Sequence, residues 1–294
     1  MKDYVKENIR KLVSLALIVC VVLVVSILFG ITPKDVFQNT FRYDEETEYD
    51  IGVTPTEDLE YGSRDDLFTQ ETEGEEITFE DFLADLPEFD GENLYVQVNK
   101  NRPFFTEEEK KNTETFIQYS ELDELGRVGQ VYANVCYEIF NTGKRTGDLS
   151  TVTPAGWNQV DTKEKFNVVL TYQGNSTDFF YCRGHMLAYA LGGAELDPRG
   201  IATATVSQNM TQLQFEKSIL DFLDVAVDDH VLIRVTPVYR ETDDLIPYGF
   251  LYEAYSVESK GIFVNFNIFM FNAAPGFKIQ SYKTGEVVLD RDFN

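Results

Sequence analysis

The sequence predicts an α+β fold: a strand–strand–helix unit packed on a mostly antiparallel sheet, preceded by a single N-terminal transmembrane helix and an acidic linker. Three observations predict it. Leu12 to Phe29 is an apolar run without a charge, about long enough to cross the ~30 Å hydrocarbon core of a bilayer. Residues 31–93 hold 3 basic and 21 acidic residues, so they bury too little apolar surface to offset the entropy of ordering. From Leu94 the pattern becomes globular, and the last third is rich in alternating, β-branched and aromatic segments. The 294 residues suit one large domain or two small ones.

Lys2, Lys6, Arg10 and Lys11 precede the apolar run and acidic sequence follows it. The excess of positive charge places residues 1–30 as a cytoplasmic tip and signal anchor, with everything after Gly30 outside. A cleaved signal peptide is the rival; its apolar core is normally shorter, and no Ala-x-Ala site follows. A buried core helix of that length would show a polar stripe. The carboxylate clusters Asp44–Asp50, Glu57–Glu60 and Glu71–Glu76 lack the spaced Asp and Gly of a calcium loop. They read as a solvated linker, 31–93, extended by self-repulsion, with a short helix at Ile77–Leu86 leading into a globular domain at 94–294.

Within that domain Leu94–Val98 alternates as a strand. Glu107–Tyr119 is expected to be helical, because Thr106 and Glu109 form a capping box. Leu125–Phe140 has apolar residues at helical spacing, places Cys136 on the helix, and stops at Asn141–Thr142–Gly143. Trp157, in a Thr-Pro-Ala-Gly-Trp turn, reads as a core anchor. Phe166–Tyr172 is expected as the first strand of the strand–strand–helix unit, with Tyr181–His185 in a polar turn after it. Gly192–Gly200 reads as a loop, Ile201–Thr205 as the second strand, and a helix runs from about Ser207 to Leu223. Strands follow at His230–Tyr239, Gly249–Val257, Ile262–Phe271 and Phe277–Tyr282, with a hairpin turn at Ser259–Gly261. Val264, Phe266, Ile268 and Met270 share one face of the third of these.

The chain has two histidines, His185 and His230. A neutral imidazole is well suited to taking a proton near neutral pH. Arg183 beside His185 suits phosphate, since its planar fork bonds two oxygens at once, and Gly184 lets the backbone bend. By themselves a His and an Arg are more often half-buried polar residues than catalysts. His230, beside Asp228 and Asp229, reads as a surface residue paired with acid. Residues 94–294 carry a net charge of −9, which excludes a general polyanion binder, because such affinity comes from Lys and Arg neutralising phosphates.

The wider pattern around His185 resembles a family. Cys182–Arg183–Gly184–His185, then Met186–Gly193, Ile201–Thr205 and Asn209, is similar to the DNA/RNA non-specific endonucleases, which are ββα-metal (His-Me finger) nucleases of the bacterial secreted and DNA-entry type. The family motif is Asp-Arg-Gly-His, or Asn-Arg-x-His in a related branch. Further landmarks are Asn99 with Pro103–Thr106, Leu122–Val128, Thr153–Trp157, Arg234–Tyr239 and Thr284–Val287, so the resemblance spans roughly 95–288. It implies a ββα-metal finger on the sheet and a nuclease-like domain at 94–294. It implies His185 as general base, Arg183 as the residue that orients the turn or contacts phosphate, Asn209 as the metal ligand, and Glu216 as the holder of metal-bound water. It implies Mg²⁺, with Mn²⁺ able to replace it, and sequence-indifferent hydrolysis of phosphodiester bonds in DNA or RNA outside the cell.

One residue departs from the pattern: Cys182 stands where the family has Asp or Asn, and a thiol is a poor donor and acceptor. A Cys136–Cys182 disulfide would account for it in an oxidising compartment. A non-catalytic surface module of the same fold, binding nucleic acid or protein, is the alternative to the enzyme, and capture of DNA during uptake is a third reading. For Asn209 alone, helix capping is the competing role.

Overall fold

The computed structural model describes residues 76–160, 170–172, 176–178 and 180–290. The expected membrane anchor and residues 31–75 of the linker lie outside the described residues. Among those described, no helix is long and apolar enough to cross a membrane.

The chain opens with α1 (Phe79–Ala84), capped by Thr78, whose hydroxyl accepts from Asp81 N while the Asp81 carboxylate accepts from Thr78 N. β1 (Tyr95–Gln97), β2 (Phe116–Tyr119) and β3 (Val131–Cys136) follow, then the single turn α2 (Trp157–Val160). β4 (Leu170–Tyr172) and β5 (Ser176–Asp178) pair with each other. β6 (Tyr181–His185), β7 (Ile201–Thr205) and the 20-residue α3 (Val206–Val225) come next. β8 (His230–Val238), β9 (Gly249–Ser256), β10 (Asn265–Phe271), β11 (Phe277–Ser281) and β12 (Glu286–Leu289) complete the order.

Six strands make one antiparallel sheet in the order β1-β10-β9-β8-β3-β2. Both of its faces are covered, which is why its central strands read as near-continuous apolar runs. On one face Val131, Ala133 and Val135, Val231, Ile233 and Val235, Phe250, Tyr252 and Ala254, and Val264, Phe266, Ile268 and Met270 form the main core. Phe215, Ile219, Leu220 and Leu223 of α3 close this core, with Ala202 and Ala204 of β7. On the other face Leu251, Phe269 and Phe271 pack with Val98 and with Phe82 of α1. The short helix expected at Ile77–Leu86, near the end of the acidic stretch, is α1, and its Phe82 is buried 5.4 Å, ring to ring, from Phe269.

Two expected helices are strands or turns. Leu125–Phe140 contains β3, whose side chains alternate between the main core and the opposite face. A short apolar run fits both periods, and here pairing on both sides, with β2 and β8, decides it. The Thr106–Glu109 capping box does form, but only a 3₁₀ turn at Glu109–Lys111 follows it. Asn112 Oδ1 accepts from Glu114 N, and Asn134 Nδ2 donates to the carbonyls of Asn112 and Glu114. Those side chains hold the backbone extended into β2, where a helix would have needed the same groups.

The strand–strand–helix unit is also shifted in sequence. Its first strand is β6, the motif itself, and not Phe166–Tyr172; the described part of that segment, β4, pairs with β5 alone. Cys136 and Cys182 are both free thiols, so the bridge entertained above is absent. His230 does meet an acid, but the acid is Glu258: His230 Nδ1 lies 2.7 Å from Glu258 Oε1.

Candidate active site

β6 and β7 pair antiparallel with Cys182 opposite Ala204, Arg183 opposite Thr203, Gly184 opposite Ala202 and His185 opposite Ile201. α3 starts without a linking loop. Thr205 is its N-cap, the hydroxyl accepting from Gln208 N at 3.0 Å. Buried Asn272 rivets this junction to the sheet: Oδ1 accepts from Thr205 N, and Nδ2 donates to the carbonyls of Thr203 and Pro247. The cap role is therefore filled by Thr205, and Asn209 is free of it.

Asn209 is the fourth residue of α3 and is half-buried. Among the described residues its carboxamide makes no hydrogen bond. Its Oδ1 lies 3.4 Å from the point where a Cβ on Gly184 would sit, and Ala204 Cβ lies 2.8 Å from the same point. Glycine at 184 is thus what lets the helix bring Asn209 against β6, directly beside the residue that precedes His185.

Two more side chains of α3 fasten it to His185. Gln212 Nε2 donates to His185 O at 2.8 Å and to Glu216 Oε1 at 2.9 Å, while its own Oε1 accepts from Gln208 Nε2. Glu216 Oε1 also accepts from Ala188 N at 2.8 Å. The Glu216 carboxyl is buried, and burial pushes its pKa up to about 7 against the opposing pull of those hydrogen bonds. The Tyr252 phenol faces it, fully buried and without a hydrogen bond of ordinary geometry.

The imidazole of His185 is held at Nε2, 2.9 Å from the carbonyl oxygen of Glu195. A carbonyl only accepts, so Nε2 carries the proton and the lone pair of the neutral ring is on Nδ1. Burial lowers the His185 pKa, the Arg145 charge lowers it further, and the Glu195 bond and charge partly restore it. The ring is therefore neutral near pH 7.

Arg183 donates from Nε to Val152 O at 2.7 Å and lies 4.0 Å over the Trp157 ring. Trp157 is buried as the core anchor its turn suggested. Cys182 packs against the main core, and burial pushes its thiol up to about 12. Apolar surroundings suit a thiol better than the carboxylate of the family motif.

The structure therefore gathers Arg183, His185, Asn209 and Glu216 on one hairpin and the helix that follows it. Sequence reading missed three residues. Gln212 ties α3 to His185, and Asn272 ties β7 to the sheet; both are amides, indistinguishable in sequence from surface polar residues. Arg145 is the third. It is half-buried, and its charge reaches both His185 and Glu216, yet among the described residues it makes no ion pair or hydrogen bond. Its only signal was the basic pair Lys144–Arg145 inside a Gly-flanked loop.

No group of three or more His, Cys, Asp or Glu side chains able to hold a metal exists among the described residues. A cation here would have one neutral amide oxygen as its protein ligand. That donor set fits a hard ion that keeps most of its waters, and does not fit a His or Cys cage.

No family model matches the chain, and no curated protein matches it. Solved structures do. NucA from Streptococcus agalactiae with magnesium bound is 23% identical, over 66% of this chain and 86% of that one, with a TM-score of 0.51. The metal-free form of the same protein gives 22% over the same shares and a TM-score of 0.50. The Sda1 nuclease with bound zinc gives 24% identity over 60% and 82%, with a TM-score of 0.49. The resemblance read from the motifs thus holds for the fold, which is that of a bacterial nuclease.

Proposed function

We propose that the chain is a metal-dependent endonuclease that hydrolyses phosphodiester bonds of DNA or RNA without regard to sequence. The observation that carries the reading is the ring of His185, neutral, with Nε2–H committed to Glu195 O and Nδ1 left as a base. The carboxamide of Asn209, beside Gly184 and without a hydrogen bond among the described residues, supports it.

Asn209 would hold the ion, with waters and substrate phosphate filling the rest of its shell. Bound there, a divalent cation supplies charge stabilisation at the phosphate and leaving oxygen. NucA is described with magnesium, and Mg²⁺ or Mn²⁺ is the choice a lone amide ligand favours. His185 Nδ1 takes the proton of the attacking water. Arg145, a half-buried cation with no ion pair or hydrogen bond among the described residues, contacts the phosphate. Arg183 braces the 152–157 turn against β6. Glu216 acts from within: it fixes Ala188 and, through Gln212, the backbone of His185, and in its ionised form would add negative charge to the surroundings of a bound cation. No residue in the motif suggests base reading, so cutting would be indifferent to sequence. The apolar run at 12–29 supports a membrane-anchored domain acting outside the cell.

Digestion of supercoiled plasmid and of RNA by the full-length chain tests the reading, with EDTA and with Mg²⁺, Mn²⁺ or Zn²⁺ restored. Cutting that EDTA abolishes and Mg²⁺ restores is expected. Absence of cutting under every ion would leave the alternative that Cys182 and the acidic domain favour, a binding module on the nuclease fold.

A further inference from the structure

The loop bearing Arg145 is stapled at two points to the segment that follows His185. At one end Asn141 Nδ2 donates to Tyr189 O at 2.7 Å, and Asn141 N donates to Ala190 O. At the other, Gly147 N donates to Glu195 Oε1 at 2.6 Å. Gly147 is pressed onto the same segment: a Cβ there would lie 2.7 Å from Leu196 Cδ1 and 3.1 Å from Glu195 Cδ. Glu195 therefore carries two connections at once. Its backbone carbonyl receives the Nε2–H of His185, and its carboxylate receives the backbone N–H two residues past Arg145. Its own segment is anchored from behind, because Ala194 N donates to Tyr119 Oη and Arg199 bridges Asp197 to Glu121.

From this geometry we infer that Glu195 is a positioning residue that holds the Arg145 loop in register with His185, so that cation and base address the same phosphate. Arg145 lies between the two staples, nearer the one at Gly147. A loop fixed at Asn141 alone would swing, since loops on the surface are mobile unless tied. The inference rests on the nuclease reading of the site and adds a residue that does not itself touch substrate.

The experiment is a double-mutant cycle in the full-length chain: Glu195→Ala, Arg145→Ala, and both together, with Glu195→Gln as the conservative control. The Gln carbonyl oxygen can still accept from Gly147 N. Cutting of a fluorophore-labelled duplex in Mg²⁺ is read as kcat and KM. Glu195→Ala should lower kcat/KM by roughly tenfold to a hundredfold, the scale of a misplaced catalytic geometry. It should do so in the same kinetic parameter that Arg145→Ala affects. Glu195→Gln should stay within about threefold of wild type, and the double variant should be no worse than Arg145→Ala, because both changes remove one function. Losses that multiply, or a Gln variant as impaired as the Ala variant, would overturn the assignment. Melting temperatures of the four variants against wild type separate a positioning loss from unfolding. If the wild-type chain does not cut, the nuclease reading fails on its own. The same cycle is then read as affinity for a labelled single-stranded oligonucleotide in EDTA, where non-additivity and Gln rescue support the staple and simple additivity refutes it.

Discussion

Replacement of Glu216 by Gln should raise stability at alkaline pH while lowering activity. Burial holds the carboxyl in the fold at a pKa of about 7, against 4.5 for an exposed glutamate. A carboxyl whose folded pKa is raised keeps its proton in the folded state after the unfolded chain has lost it. Stability therefore falls as pH rises from about 4.5 to about 7, and above that window the cost is complete. That difference corresponds to about 3 kcal/mol. Gln mimics the protonated form. Its carbonyl oxygen can accept from Ala188 N and Gln212 Nε2 as Oε1 does now. Urea unfolding of wild type and variant at pH 5 and pH 8, in EDTA, measures the effect. The variant should gain on wild type by roughly 2–3 kcal/mol between the two pH values, and its cutting at pH 8 should fall. Stability curves that run parallel from pH 5 to pH 8 would refute the claim that this carboxyl is buried at a desolvation cost.

Three further outcomes follow from the same geometry. Gly184→Ala places a methyl 2.8 Å from Ala204 Cβ and 3.4 Å from Asn209 Oδ1; it should cost about 1–3 kcal/mol of stability and weaken Mg²⁺ dependence of cutting, and a variant with wild-type melting and Mg²⁺ response contradicts the contact. Because burial lowers the His185 pKa below the 6.5 of an exposed imidazole, the acid limb of kcat/KM should lie below pH 6.5, activity falling as the ring protonates; a limb above 6.5 speaks against a buried neutral base. Cys182, whose thiol is pushed up to about 12, should resist iodoacetamide at pH 8 in the folded chain and react in urea, whereas rapid labelling of the folded protein would place it outside the core.

Much of the candidate site was legible because its chemistry is local. Arg183, Gly184 and His185 sit on β6 and Asn209 on α3, which follows β7 without a loop, so motif spacing reported spatial proximity. β8, β9 and β10 were legible from alternation, and the Val264–Met270 face lies in the main core as read. What failed depended on partners distant in the chain. β3 became a strand because β8, about a hundred residues on, pairs with it. The capping box at Thr106 was real but governed one turn, because Asn134 holds the following backbone extended. The motif looked like a polar turn, since Arg, Gly and His are poor strand formers, yet pairing with β7 made it one. Gln212 and Asn272 carry no local signature, and Arg145 only the basic pair it makes with Lys144; their roles are defined by which carbonyls and charges the fold sets beside them.

The central claim is that one neutral imidazole takes the proton on one side of a cation held by one amide. Single-turnover cleavage of a 5′-labelled duplex in Mg²⁺ by wild type, His185→Ala and Asn209→Ala tests it most directly. Loss of a positioned general base should slow cleavage by about 10²- to 10⁴-fold in His185→Ala, and Asn209→Ala should shift the Mg²⁺ dependence to higher concentration. Cleavage by His185→Ala within a few-fold of wild type would contradict the account.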